Sequence, residues 1–302
     1  MSPLGPIRLR YEVELAYQVN SDGADFIFNV QAAQTAQQRV FEESLFISQD
    51  IVLREHTDPV TSGKFLRVRA AAGELILRYS ASVELRPVGL AAADIPETWI
   101  PYLPIEVLPY LYPSRYCESD LLAPVALAEF GSMWQGYGRV QAVCDWVKAR
   151  IQFESESSST STTAMNTLAE GRGVCRDFSH LMIALARALN IPARFVTGLD
   201  YGADPALGPT DFHAYVEAYL GDRWYIFDPS GTTIPMGLIR LTAGRDASEC
   251  AYATIFGDVV PLTRSLKIEP VAFESGELVQ PYHTQHALST DKGVAGAGSV
   301  CS

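Results

Sequence analysis

Residues 171–190, GRGVCRDFSHLMIALARALN, constrain the fold of this chain more than any other stretch. Gly171 and Gly173 break the chain, and from Cys175 the pattern turns helical. Phe178, Leu181, Met182, Leu185 and Leu189 fall at i, i+3, i+4, i+7 and i+11, a single apolar stripe. Asn190 and Pro192 end it. The residues that follow supply a surface for that stripe. Ala193–Leu199, Phe212–Leu220 and Arg223–Phe227 are strand patterns, and Gly221-Asp222 between the last two is a turn signal, so residues 211–229 form a hairpin. The prediction is an α+β core, with a cysteine-bearing helix packed on an antiparallel sheet.

The N-terminal part reads differently. Residues 7–15 alternate apolar and polar, as a half-buried strand does. Segments 26–30, 48–54, 65–70 and 74–85 continue the pattern. Turn signals at Asn20, Asp22-Gly23, Asp58-Pro59, Ser62-Gly63 and Ala72-Gly73 separate them. Residues 1–85 are therefore predicted to form a small antiparallel β-sandwich. Residues 86–118 carry Pro87, Pro96, Pro101, Pro104, Pro109 and Pro113 with interleaved aromatics, a connector expected to pack down and to form one wall of a cleft. Residues 119–282 make the core, with helices at 119–130, 139–151 and a short one capped by Thr163, and further strand pieces at 251–256 and 265–273. Residues 283–302 are small and polar and are expected to be a disordered tail.

Charge narrows the partners. The formal net charge of −12 leaves no basic footprint for nucleic acid and disfavours anionic membranes. No secretory signal or run of about 18 apolar residues is visible. The five cysteines, Cys117, Cys144, Cys175, Cys250 and Cys301, are odd in number and widely spaced, without a CxxC pair. A disulfide framework is not expected, and a reducing, cytoplasmic compartment fits best. No cofactor or metal is implied. No calcium-loop pattern occurs, and a zinc site built on Cys175, His213 and Asp228 would lack a firm further ligand.

Three residues carry the candidate chemistry. Cys175 opens a helix, where backbone N–H groups stabilise negative charge and favour the thiolate. If the hairpin turn centres on Leu220-Gly221, His213 pairs directly with Asp228. If it centres on Gly221-Asp222, Tyr215 pairs with Asp228 and His213 is one diagonal step away. Both registers keep His213 and Asp228 on one sheet face with Cβ atoms roughly 5–8 Å apart. A carboxylate there can hold one imidazole nitrogen and leave the other to take a proton. Taken singly, a lone cysteine is more often a small buried hydrophobe, a strand-edge histidine a satisfied polar group, and Asp-Pro a turn. Together the three are the minimum set for thiol acyl transfer: nucleophile, base and orienter.

Two sequences, GRGVCRDFSHLMIALARALNIPARFVTGL and DFHAYVEAYLGDRWYIFDPSG, resemble the core of bacterial transglutaminase-like proteins. The family pattern is Gly-Val-Cys entering a helix, a His-Ala-aromatic-Val-Glu strand, and a Trp strand ending in Phe-Asp-Pro. The match is strong over residues 171–231 and weaker from about 113, through PSRYCESD, to about 257. The strand-rich N-terminal part resembles the accessory domain of that family. The resemblance implies a papain-like core with Cys175, His213 and Asp228 as a triad. It also implies a thiol-dependent amide-bond hydrolase (peptidase, amidase or isopeptidase) acting on a peptide or amide through a thioester. A transamidase with an amine acceptor, and a non-catalytic binding module retaining the fold, are the alternatives. Tyr215 stands where the family more usually has tryptophan. The amide of Cys175 is a candidate oxyanion donor, and Trp146 and Tyr137 are weaker candidates. His180 lies about 140° around the helix from Cys175 and reads as structural. Cys144 reads as core, and Cys117, Cys250 and Cys301 have no evident partner. Asp177 is expected to balance charge in the first turn with Arg176. Glu217 is expected to meet solvent, Arg172 or Arg176.

Overall fold

The computed structural model describes residues 2–20, 22–202 and 210–289. The first block is all strand: β1 (Ser2–Pro3), β2 (Ile7–Val19), β3 (Ala24–Phe28), β4 (Gln38–Ile47), β5 (Arg54–Thr57), β6 (Lys64–Ala70), β7 (Gly73–Leu85) and β8 (Val88–Leu90). In β2 the period of two turns Ile7, Leu9, Tyr11, Val13 and Leu15 inward, and all five are buried. The strand expected over 48–54 is instead a loop until Arg54, and the sheet position is filled by β4. Its alternation is hidden because a bulge between Phe41 and Ser44, with Glu42 at φ 54°, resets the inward face midway.

The middle of the chain is helical: α1 (Ser119–Phe130), α2 (Tyr137–Arg150), the two-residue β9 (Gln152–Phe153), α3 (Ala164–Glu170), β10 (Arg172–Gly173) and α4 (Cys175–Ala188). Thr163 caps α3 through a reciprocal exchange with Asn166. Strands β11 (Ala193–Leu199), β12 (Phe212–Leu220), β13 (Arg223–Phe227) and β14 (Ile239–Gly244) follow, then α5 (Ala247–Cys250), β15 (Ala253–Phe256), β16 (Val259–Pro270) and β17 (Ala287–Ser289). The connector packs down through its backbone: Ile95 O accepts from Tyr137 N, and Pro96 O from Gly221 N.

The central sheet is antiparallel in the order β13-β12-β11-β14. Helices α2 and α4 cover one face, with α1 packed on α4, and there Phe178, Leu181 and Leu185 share a core with Phe195, Ala214, Val216 and Phe227. Every residue of α4 from Asp177 to Arg187 is buried, so the helix is enclosed all round rather than along one stripe. This is possible because the buried arginine of that stretch is satisfied: Arg187 donates to the carbonyls of Tyr112, Ala193 and Arg245.

The other face of the central sheet packs on the sandwich. Val196, Leu199, Tyr215 and Ile226 share one core with Tyr11, Phe26 and Leu77. The two sandwich sheets run β16-β2-β7-β4 and β15-β3-β6-β5, so β15 and β16 return to complete a domain that residues 1–85 only begin. Strands assigned from sequence to the 119–282 core thus belong to the sandwich, because their partners are β3 and β2. Ala287–Ser289 pairs with β8 and is strand rather than the start of a disordered tail. Residues 290–302 lie outside the described residues.

Candidate active site

Cys175 is the first residue of α4. Its predecessor Val174 has no side-chain acceptor, and Asp177 compensates from the third helical position: its Oδ2 accepts from Val174 N at 2.9 Å. Arg176 holds Asp177 Oδ1 at 3.2 Å. Gly173 is required by that cap, since a Cβ there would stand 2.7 Å from Asp177 Cβ. The first amides of α4 have no intrahelical acceptor and face outward with the positive end of the helix dipole. Cys175 is half-buried, whereas Cys117, Cys144 and Cys250 are buried. Burial pushes the Cys117 thiol up to about 12 and raises Cys144 and Cys250 as well. Cys301 lies outside the described residues.

The hairpin closes with Leu220 opposite Arg223, so the turn is Gly221-Asp222, with Gly221 at φ 60°. This is the second of the two registers. Val216 pairs with Phe227, which sets Tyr215 across from Asp228 and His213 one diagonal step away. His213 Nε2 donates to Asp228 Oδ1 at 3.2 Å. Oδ1 also accepts from Ser230 N at 3.2 Å and Ser230 Oγ at 2.6 Å, and Oδ2 from Thr233 N and Thr233 Oγ1, both at 3.3 Å. Burial alone would raise the Asp228 carboxyl. The His213 charge and the hydrogen bonds from His213, Ser230 and Thr233 outweigh it and hold the group at about 2. Burial alone would likewise depress His213. The Asp228 charge and hydrogen bond, joined by a hydrogen bond to the Cys175 thiol, raise it well above its ordinary value. With Asp228 on Nε2, the opposite ring nitrogen, Nδ1, is the one left for the thiol.

The structure therefore brings Cys175, His213 and Asp228 together. The remaining candidates fall elsewhere. Trp146 packs edge-on against Phe130 with centroids 5.9 Å apart, under the Arg150 guanidinium. Tyr137 packs on Phe227 at 4.9 Å. Glu217 does not reach solvent, Arg172 or Arg176: it is fully buried between the central sheet and the sandwich. There Arg194 Nε donates to it at 2.7 Å, and Arg240 lies 3.6 Å away. Its face of the strand is covered by a second domain rather than by water. His180 stacks between Tyr116 and Phe195, both at 5.0 Å, and its Nε2 accepts from Ala247 N at 3.2 Å. Tyr116 thus brings the end of the connector against α4, and its hydroxyl donates to Thr160 O at 2.8 Å.

Sequence reasoning missed Ser230 and Thr233. The signal for Ser230 was present, since an aspartate commonly caps its own backbone two residues on. Nothing local marked Thr233, which enters only through the tertiary arrangement.

A helix-opening thiol, an imidazole and a buried carboxylate on an antiparallel sheet define a papain-like arrangement on an α+β fold. Residues 131–229 match the transglutaminase-like superfamily, and residues 7–87 match the bacterial transglutaminase N-terminal domain. The chain superposes on the crystal structure of a "putative cysteine protease" from Cytophaga hutchinsonii with a TM-score of 0.86 and 32% identity, covering 95% of this chain and 99% of that one. It is also 25% identical over 193 residues to an uncharacterized protein of Mycobacterium leprae, which is 61% of this chain and 68% of that one. The chain belongs to the transglutaminase-like superfamily. No helix among the described residues is long and apolar enough to cross a membrane.

Proposed function

We propose that the protein is a thiol-dependent amide-bond hydrolase with Cys175 as nucleophile, His213 as general acid and base, and Asp228 as the group that orients and charges His213. The observation that carries this is the position of His213, buried between Asp228 at 3.2 Å and the one half-exposed thiol of the described residues. The Cys175 thiolate attacks the carbonyl carbon of an amide or peptide. A C–S bond forms, and the carbonyl π electrons move to oxygen, where the amide of Cys175 at the start of α4 stabilises them. The oxyanion then collapses, the C–N bond breaks, and protonated His213 gives its Nδ1 proton to the leaving nitrogen. Neutral His213 next takes a proton from water as the hydroxyl adds to the thioester. Collapse expels the thiolate, releases the acid and restores the ion pair.

Transamidation would use the same residues, with an amine in place of water at the second step. Hydrolysis is preferred because water is always available. A reducing compartment, the cytoplasm, suits this function, because the four described thiols are unpaired. The partner is a peptide or amide rather than nucleic acid or membrane, in keeping with the net charge of −12.

The test is the pH dependence of iodoacetamide alkylation, mapped by mass spectrometry, in wild type and His213→Ala. Cys175 alone should react fast near pH 6, and the substitution should slow it sharply. A Cys175 that reacts no faster than an ordinary exposed thiol in either protein would sink the proposal and leave a binding module. With reactivity in hand, an amide-substrate screen with and without added primary amine separates hydrolysis from transamidation.

A further inference from the structure

Asp200 has no part in that mechanism, yet it lies at the same corner. It follows β11, in which Leu199 pairs with Phe212 and Gly198 with His213. One step on, Asp200 stands across from Asp211, on the same sheet face as His213 and diagonal to it, at a Cβ separation of roughly 5–8 Å. His213 is thus flanked by carboxylates from both neighbouring strands. Their situations differ. Asp228 is tied down by five donors. Asp200, only 7% exposed, is held among the described residues by backbone amides alone, with Asp211 N at 3.3 Å.

Among the described residues no cation pairs with Asp200. Arg264, the partner of neighbouring Asp211 at 2.7 Å, is committed there, and Arg176 is committed to Asp177 and to the Ser158–Ser159 loop. Burial lifts the Asp200 carboxyl to about 6, against the pull of the His213 charge. Buried carboxylates are ordinarily paired. One left without a cation beside a reactive pair is placed to receive one from a ligand.

We propose that Asp200 is a specificity-determining residue that receives a positively charged group on the amine half of the substrate amide. The inference rests on the hydrolase reading above, and the side follows from its chemistry. His213 hands its proton to the leaving nitrogen, so a group beside His213 on the flank away from Asp228 lies along the leaving amine. A substrate whose amine half carries a basic group a few bonds from the scissile nitrogen would bring that charge to Asp200. An acidic amine half would meet the Asp200 carboxylate and be repelled.

The test needs no substrate. Aminoethyl, sulfonatoethyl and methyl methanethiosulfonate deliver a cation, an anion and a neutral group to one thiolate. In each case an S–S bond forms and methanesulfinate leaves. Rates at Cys175 are read by mass spectrometry, and the cation-to-anion ratio is referred to that of 2-mercaptoethanol. One charge at roughly 8 Å under an effective dielectric near 20 is sufficient for a tenfold change or more. The expected result is a ratio raised about tenfold or more in wild type, retained in Asp200→Glu and lost in Asp200→Asn. The methyl reagent should react with Asp200→Asn within about threefold of wild type, showing thiolate and fold intact. An unchanged ratio in Asp200→Asn at that intact neutral rate overturns the assignment. If Asp200→Asn does not fold, the wild-type ratio decides, and the absence of cation preference overturns it. A wild-type Cys175 sluggish even toward the methyl reagent removes the hydrolase reading and this inference with it. A fast but charge-blind Cys175 removes only the inference.

Discussion

His180 and His213 are both buried in the helix-and-sheet half of the molecule, and their surroundings drive them in opposite directions. His180 sits on α4 between two aromatic rings, with its Nε2 accepting from a backbone amide and its Nδ1 without a partner. Burial pushes it down to about 3, against the pull of Asp246. His213 is as deeply buried, yet its pKa rises, because Asp228 and Cys175 bracket its ring. Burial alone makes a neutral imidazole. A carboxylate within hydrogen-bond reach makes an imidazolium, provided the carboxylate is itself kept charged by other donors. The site therefore depends on Ser230 and Thr233 as well as on the three residues that would do the chemistry.

Removing the carboxylate should collapse the contrast, and this is the largest effect we predict. Asp228→Asn leaves His213 buried without a carboxylate in hydrogen-bond contact, as His180 is. Its pKa should fall, and fast alkylation of Cys175 near pH 6 should disappear. Turnover of any amide substrate should drop about 10³–10⁴-fold, the scale seen when the orienting carboxylate of a triad is neutralised. Alkylation that remains fast near pH 6 in Asp228→Asn would show that His213 does not owe its charge to Asp228.

The converse substitution tests the structural member of the pair. His180→Ala opens a cavity between Tyr116 and Phe195 and leaves Ala247 N without an acceptor. A cost of about 3 kcal/mol should lower the melting temperature by roughly 5–10 °C. The alkylation rate of the folded protein should stay within about threefold of wild type. A large fall in Cys175 reactivity without loss of stability would instead put His180 in the chemistry.

Stability against pH separates the two histidines by sign. The folded-state pKa of His180 is depressed, so the unfolded chain takes up a proton that the folded chain refuses. Stability should fall as pH drops from roughly 6.5 toward about 3. The folded-state pKa of His213 is raised, so its contribution is present below roughly 6.5 and is lost as pH rises through the raised value. Urea midpoints at pH 5, 7 and 9 should show a shallower acid limb in His180→Gln and a shallower alkaline limb in His213→Gln. Identical limbs in wild type and both variants would contradict the contrast.

How much of this was legible in the residues differs between layers. The Cys175 helix, the hairpin and its two allowed registers could be read locally, because a helical stripe and a two-residue turn are short-range signals. Strand β4 could not, since its bulge at Glu42 breaks the period of two. The destination of β15 and β16 could not either, because pairing with β3 and β2 spans most of the chain and leaves no local mark. The same blindness misplaced Glu217: only the fold shows that the sandwich covers its face of the strand and that Arg194 and Arg240 neutralise it.

The smallest effect we predict concerns the support of Asp228. Ser230→Ala removes the 2.6 Å hydroxyl bond to Oδ1 and keeps the backbone bond from Ser230 N and both bonds from Thr233. A hydrogen bond to a charged group contributes about 1.5–3 kcal/mol, but three donors besides His213 remain to share the load, so the net loss should lie at the low end. The carboxylate should stay ionised at neutral pH, with His213 less strongly charged and less firmly held. The expected reading is a three- to tenfold slower alkylation of Cys175 at pH 6, restored in Ser230→Thr, with the melting temperature almost unchanged. A Ser230→Ala protein as impaired as Asp228→Asn would mean that one hydroxyl, rather than the set of donors, sets the charge of the pair. A protein wholly unaffected would place the whole duty on the backbone amides and Thr233.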